Sequence, residues 1–106
     1  MINRNRPVRG STSGRPIMRL FDVMGKRWSM RIIWELRDDQ SLTFRQLRER
    51  CDDVSPTSLN QRLKELRQLR LIEHDDNGYQ LTQWGRELGK HLLGLNTWAT
   101  RWDKAL

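Results

Sequence analysis

Few residues in this chain could carry catalytic or metal chemistry, and their spacing does not suit it. Cys51 is the single cysteine, and His74 and His91 are the two histidines. They have no ligand spacing, so no zinc or redox-metal pattern is present. The acid pairs Asp38-Asp39, Asp52-Asp53 and Asp75-Asp76 fall in turn-like stretches, where carboxylates suit turn geometry and solvation. There is no glycine-rich phosphate loop and no Ser/His/Asp set in a recognisable context. An enzyme is not expected, and no catalytic residue, metal ligand or cofactor is assigned. What stands out instead is hydrogen-bonding chemistry on one segment. Ser55, Thr57, Ser58, Asn60, Gln61, Lys64 and Gln68 supply hydroxyl, amide and ammonium groups within fourteen positions. Such groups pair with base edges and with phosphate.

Those side chains must be held by a helix. With Leu59 at the centre of the buried face, Leu63 and Leu66 lie within about 40° of it at about 100° per residue. Thr57, Gln61, Lys64 and Gln68 then point the opposite way, with Ser58 and Asn60 on the flanks. Ser55 is the N-cap, Pro56 takes the first helical position, and Val54 and Leu59 are placed as a hydrophobic staple. This helix runs to about residue 70. A shorter helix precedes it, with Thr43 as N-cap, Gln46 completing a capping box, and Phe44, Leu47 and Cys51 inward. The stretch Cys51-Asp52-Asp53-Val54 is the turn between them. Further upstream, Ile17, Leu20, Phe21 and Met24 mark an amphipathic helix ended by Gly25. Residues 26–37 read as a second helix, with Trp28, Ile32, Ile33 and Leu36 on one side and Met30 and Trp34 away from it. Downstream, residues 72–74 and 79–81 read as strands joined by the hairpin signal Asp75-Asp76-Asn77-Gly78. Thr82 caps a last helix that runs nearly to the end.

Two N-terminal helices, then helix, turn, helix, hairpin and long helix, form a mainly α domain with a small β-hairpin (α+β). That order is the winged helix-turn-helix, whose second motif helix enters the major groove. Ser55, Thr57, Ser58, Asn60, Gln61 and Lys64 are therefore candidate DNA contacts. Arg45 on the preceding helix joins them. So does Arg62, although an internal ion pair is its other reading. The wing tip is acidic and suits phosphate poorly, which leaves His74 or Tyr79 at its base for the backbone.

Charge agrees with a nucleic-acid partner. The net charge is +7, the pI is about 10.7, and sixteen of the twenty basic residues are arginine, whose fork matches phosphate oxygens. Residues 1–14 hold Arg4, Arg6 and Arg9 and no acid, and read as a flexible basic tail ahead of a domain at 15–106. The mean hydropathy of −0.84, with no run near the roughly 18–20 apolar residues of a span, points to a soluble, cytoplasmic protein with no membrane partner. A lone cysteine precludes an intramolecular disulfide framework.

From about residue 15 to 98 the chain resembles the HxlR-type transcriptional regulators, relatives of the MarR winged-helix group. The resemblance is carried by Gly25-Lys26-Arg27-Trp28-Ser29 and by Leu42-Thr43-Phe44-Arg45-Gln46-Leu47. It continues through residues 55–66, which end in Arg62-Leu63-Lys64-Glu65-Leu66, and through Tyr79-Gln80-Leu81-Thr82-Gln83-Trp84-Gly85-Arg86. It implies a dimeric DNA-binding regulator, joined through N- and C-terminal helices, on a palindromic operator. Many members carry a sensing cysteine just before the proline that opens the first helix. Here Arg15 precedes Pro16, and Cys51 reads as a small core residue.

The last helix has its own periodicity. Trp84, Leu88, His91, Leu95, Trp98 and Trp102 follow 4-3-4-3-4 spacing, a heptad seam. Leu88, His91, Leu95, Trp98 and Trp102 are the expected homodimer contacts, with His91 a packed interface histidine. Gly85, Gly89 and Gly94 interrupt this helix, either for close approach of another helix or for looseness. The five tryptophans are read as packing, with a small-molecule effector between the dimer helices and the DNA-binding lobe as the other reading. A winged-helix module that binds protein and no DNA is the alternative function.

Overall fold

The computed structural model describes residues 14–106. The basic tail expected for residues 1–14 lies outside them, apart from Gly14. In chain order the elements are α1 (Pro16–Gly25), α2 (Ser29–Glu35), α3 (Phe44–Arg50), α4 (Pro56–Gln68), β1 (Ile72–Asp75), β2 (Gly78–Leu81) and α5 (Gln83–Lys104). This is the expected α+β architecture, a winged helix-turn-helix.

The caps form as their local chemistry dictates. Thr43 Oγ1 accepts the Gln46 N–H at 3.1 Å, and Gln46 Oε1 accepts the Thr43 N–H at 2.9 Å. Ser55 Oγ accepts the Ser58 N–H at 3.2 Å, and Thr82 Oγ1 accepts the Gly85 N–H at 3.2 Å. Each satisfies amide donors that a helix start leaves unpaired.

Helix α2 is shorter than the apolar pattern of residues 26–37 indicates. Trp28 takes the left-handed conformation, φ 77°, and the Ser29 N–H bonds the Lys26 carbonyl at 3.2 Å. Lys26, Arg27 and Trp28 therefore make a turn, not a helical start. Left-handed backbone costs a non-glycine residue roughly 1–2 kcal/mol. The Trp28 ring, partly buried against the core and stacked under Arg27, helps offset it.

Ile32 and Ile33 of α2 and Leu36 at its end, Leu47 and Cys51 from α3 and its end, and Leu59, Leu63 and Leu66 of α4 are fully buried. Ile72, Tyr79, Leu81 and Leu92 close the core from the hairpin and α5. The three-helix centre thus orients α4, leaving its opposite side in solvent. Burial of each such side chain contributes about 1.5–3 kcal/mol.

The wing is pinned to the start of α3. Strands β1 and β2 pair antiparallel, from Ile72 opposite Leu81 to Asp75 opposite Gly78. Residue 42, in a stretch expected to be a plain connection, forms a bridge to β2. The Leu42 N–H donates to the Tyr79 carbonyl at 3.0 Å, and the Tyr79 N–H returns to Leu42 at 2.7 Å. Gly78 is required here: its φ is +123°, and a Cβ would stand 2.5 Å from the Leu42 carbonyl oxygen. Tyr79 is core, which removes it as a contact to a DNA backbone.

Helix α5 turns Gly85, Gly89 and Leu92 inward. The three interrupting glycines have different surroundings. At Gly85 a Cβ would meet the Leu71 carbonyl oxygen at 2.0 Å, whereas at Gly94 nothing lies within 4 Å. The close approach at Gly85 is thus to the chain's own segment before β1. Among the described residues no helix is long and apolar enough to cross a membrane.

Candidate nucleic-acid interface

The outward side of α4 is free of internal commitments. Thr57, Ser58, Asn60, Gln61, Lys64 and Gln68 are all exposed. Among the described residues, the side chains of Thr57, Asn60, Gln61, Lys64, Arg67 and Gln68 make no hydrogen bond or ion pair within the subunit. Ser55 Oγ is engaged as the cap acceptor, and its hydroxyl proton remains to donate.

The two flanks of α4 differ. On one, Glu65 accepts from Arg62 Nη1 at 2.6 Å and faces Lys26 Nζ at 3.7 Å. Lys26 also sits 3.9 Å from Asp22 of α1. This network ties α4 to the turn before α2. Arg62, expected at a phosphate, is therefore found in its other reading, an internal pair with Glu65. On the other flank, Asn60, Lys64 and Arg67 lie about 80–140° from Leu59, on the side toward the wing.

That flank borders an open groove of about 440 Å³ between α4 and β1, lined by Lys64, Arg67, Gln68, Ile72, Glu73 and His74. The His74 ring stacks on Tyr79, with centroids 4.0 Å apart and planes 6° from parallel, so it is held at the groove wall. Arg67 was not singled out by the periodicity, because only the position of the hairpin shows which flank of α4 faces it. Its spacing of 3 from Lys64 and 7 from Asn60 was the available signal. Arg45, in the first turn of α3, is nine-tenths exposed and only loosely paired with Glu49 at 3.5 Å. Such an exposed pair is worth little and is readily exchanged.

The wing tip is acidic and locally closed. Asp75 accepts the Asn77 N–H and the Gln80 amide, both at 2.8 Å, and these bonds lower its pKa. Ser41 donates to Gln80 at 2.6 Å. The tip presents carboxylate, not cation, so a phosphate strand is favoured on the α4 side of the groove.

Cys51 is completely buried and its thiol pKa is pushed up to about 11, by burial first, with Arg31 opposing. A thiol of this kind is inert at neutral pH. No group of three or more potential metal ligands occurs among the described residues.

Comparison with known proteins identifies the fold's relatives. The family model described as HxlR-like helix-turn-helix matches residues 23–106. The chain belongs to this family. An uncharacterized HTH-type transcriptional regulator of Methanocaldococcus jannaschii is 28% identical over 92 residues, covering 83% of this chain and 86% of that protein. Among solved structures, quinone-bound YodB of B. subtilis is 31% identical with a TM-score of 0.74, covering 82% of this chain and 97% of YodB. A possible HxlR family transcriptional factor of Thermoplasma volcanium is 26% identical with a TM-score of 0.72, covering 84% and 85% of the two chains. This HxlR-type chain is thus a DNA-binding regulator of a transcription-regulator family. Membership in it speaks against the alternative of a protein-only module.

Proposed function

We propose that the regulator acts as a homodimer on a two-fold symmetric operator, with α4 of each subunit in the major groove. The observation that carries the dimer is the seam on α5. Trp84 is 66% exposed, Leu95 49%, Trp98 52% and Trp102 51%. They share one side of the helix, about 90° from the side that packs inward through Gly85 and Leu92. Trp98 and Trp102 stack on each other with ring centroids 5.5 Å apart, and neither belongs to the buried core. Ile17 and Phe21 of α1 are also exposed, about half of each. A monomer rarely leaves apolar surface of this extent uncovered. Leu88, half-buried, and His91, exposed, complete the proposed contact.

On DNA, Thr57, Asn60, Gln61 and Lys64 are the base-reading set, and Ser55 and Ser58 approach the backbone at the helix start. Arg45 and Arg67 bind phosphate from either side. Arg62 acts indirectly, by holding Glu65. The element order also supports kinship with MarR-type regulators, and DNA as the target supports action in the cytoplasm.

One YodB structure holds a quinone. For this chain we propose no electrophile sensing through its thiol, because Cys51 is its only cysteine and lies sealed in the core. Of the five tryptophans, Trp34 lines the groove of about 380 Å³ between α2 and α5.

The salt dependence of binding to duplex tests the interface. Log affinity should fall with log salt at a slope of about −0.9 per phosphate neutralised. Arg45→Gln and Arg67→Gln should each make the slope shallower by about one such contact. A slope that neither variant alters would remove both residues from the interface.

A further inference from the structure

We propose that Arg31, on α2 and outside the helix-turn-helix itself, is a positioning residue for DNA recognition: it holds the turn that aims α4. This rests on the reading of α4 as the recognition helix.

One guanidinium makes three separate ties. Arg31 Nε donates to Glu35 Oε2 at 2.8 Å, within α2. Its Nη2 donates to the carbonyl oxygen of Arg50 at 2.6 Å, and its Nη1 to Asp52 Oδ2 at 3.4 Å. Arg50 is the last residue of α3, where the helix leaves carbonyls without amide partners. A cationic donor on such a carbonyl also complements the helix dipole. Glu35 fixes the fork, so the two remaining arms point at the turn.

The turn needs such a hold. Asp52 and Asp53 both sit at φ 56°, in the left-handed region. Two consecutive left-handed non-glycine residues persist only where their surroundings over-determine them. The bonds from Asp53 N–H to Arg48 (2.9 Å), Val54 N–H to Cys51 (3.1 Å) and Arg48 Nε to the Val54 carbonyl (2.8 Å) stay within residues 48–54. They shape the turn, and its ends Cys51 and Val54 pack into the core, but none of these bonds ties Asp52 or Asp53 to an element other than α3. Gln40 supplies a weaker tie, accepting from Arg50 Nη1 at 3.0 Å while donating to Arg37 at 3.2 Å. Among the described residues, Arg31 alone hydrogen-bonds both the end of α3 and a left-handed residue of the turn. Four residues beyond Asp52, α4 begins. Three of the five N–H donors of Arg31, one on each nitrogen, are engaged inside the subunit, so it acts on recognition through α4 rather than by touching DNA.

The test uses the full chain, the duplex that the wild-type protein selects from a random pool, and a random duplex of equal length. Arg31→Met keeps much of the stem and removes the fork; Arg31→Lys keeps the charge but cannot reach both acceptors. Asp52→Asn weakens one arm only. Arg31→Met should lose tenfold or more in affinity for the selected duplex. Its affinity for random duplex should stay within about twofold and its salt slope unchanged. Arg31→Lys and Asp52→Asn should fall between it and the wild type, with the same pattern. Amide exchange at Asp53 and Val54 should quicken in all three. Equal losses on both duplexes, or a shallower salt slope, would make Arg31 a phosphate contact or a general stability residue and overturn the proposal. Undiminished selectivity in all three variants would overturn it as well. If the wild-type protein selects no duplex, the recognition-helix reading fails first and takes this proposal with it.

Discussion

Trp98→Glu is the sharpest perturbation of the proposed dimer. Trp98 is 52% exposed. An indole has at most roughly 250 Å² to bury, so about 130 Å² is left for a partner to cover. At about 25 cal/mol per Å² that is about 3 kcal/mol per subunit, hence about 6 kcal/mol for a symmetric pair. Partial coverage halves this to about 3 kcal/mol, roughly a hundredfold in Kd. Two carboxylates brought into the seam add desolvation cost on top. The subunit itself should lose no more than about 1 kcal/mol, chiefly the stack on Trp102. Sedimentation equilibrium over a wide concentration range gives the dimer constant, and thermal unfolding at low concentration gives the subunit's stability. A variant that dimerises as tightly as the wild type would refute the seam. A variant that unfolds outright would show that Trp98 packs within its own subunit.

Gln61→Ala should relax base preference at one operator position by about 1–3 kcal/mol, read by comparing single-base variants of the site, because the amide is exposed and free. Gly85→Ala should destabilise by about 2 kcal/mol despite a propensity gain of about 1 kcal/mol, since its Cβ would stand 2.0 Å from a backbone oxygen; Gly94→Ala, in open space, should stabilise the isolated subunit by up to about 1 kcal/mol. Denaturant melts separate the two. The Cys51 thiol, raised from 9.0 to about 11, keeps its proton in the folded state where the unfolded chain would lose it. Its contribution is therefore full below pH 9 and is lost as pH rises from 9 to 11, on the order of 2–3 kcal/mol in all. A Cys51→Ala variant should lack that part of the alkaline decline.

Features set by neighbours in sequence were legible before the structure. Thr43 with Gln46, Ser55 with Pro56, and Thr82 all cap as their types require, because a cap involves only three or four consecutive residues. The apolar period placed Leu59, Leu63 and Leu66 inside for the same reason. Features set by tertiary contact were not. Nothing local marks Trp28 as left-handed, so the apolar pattern of residues 26–37 overstates the length of α2. Arg62 had two partners in prospect, and only the packing of the 26–28 turn against α4 brings Glu65 and Lys26 into one network with it. Gly85 and Gly94 look alike in sequence, yet one abuts Leu71 and the other faces open space. Arg67 and His74 share a groove only once the hairpin folds back beside α4. The spacing of Arg31 and Glu35 suggests an ordinary i, i+4 pair, while the reach to Arg50 and Asp52 depends on how α2 and α3 pack.

The most direct test of a dimeric, sequence-reading regulator is selection of the purified full chain on random duplex DNA, with sequencing at two salt concentrations. Enrichment of a two-fold symmetric motif, with half-sites roughly 34–36 Å apart and weaker recovery at the higher salt, is the result expected. Enrichment of a single, asymmetric half-site would contradict the dimer. No enrichment, with salt-independent binding, would contradict the recognition of DNA by α4.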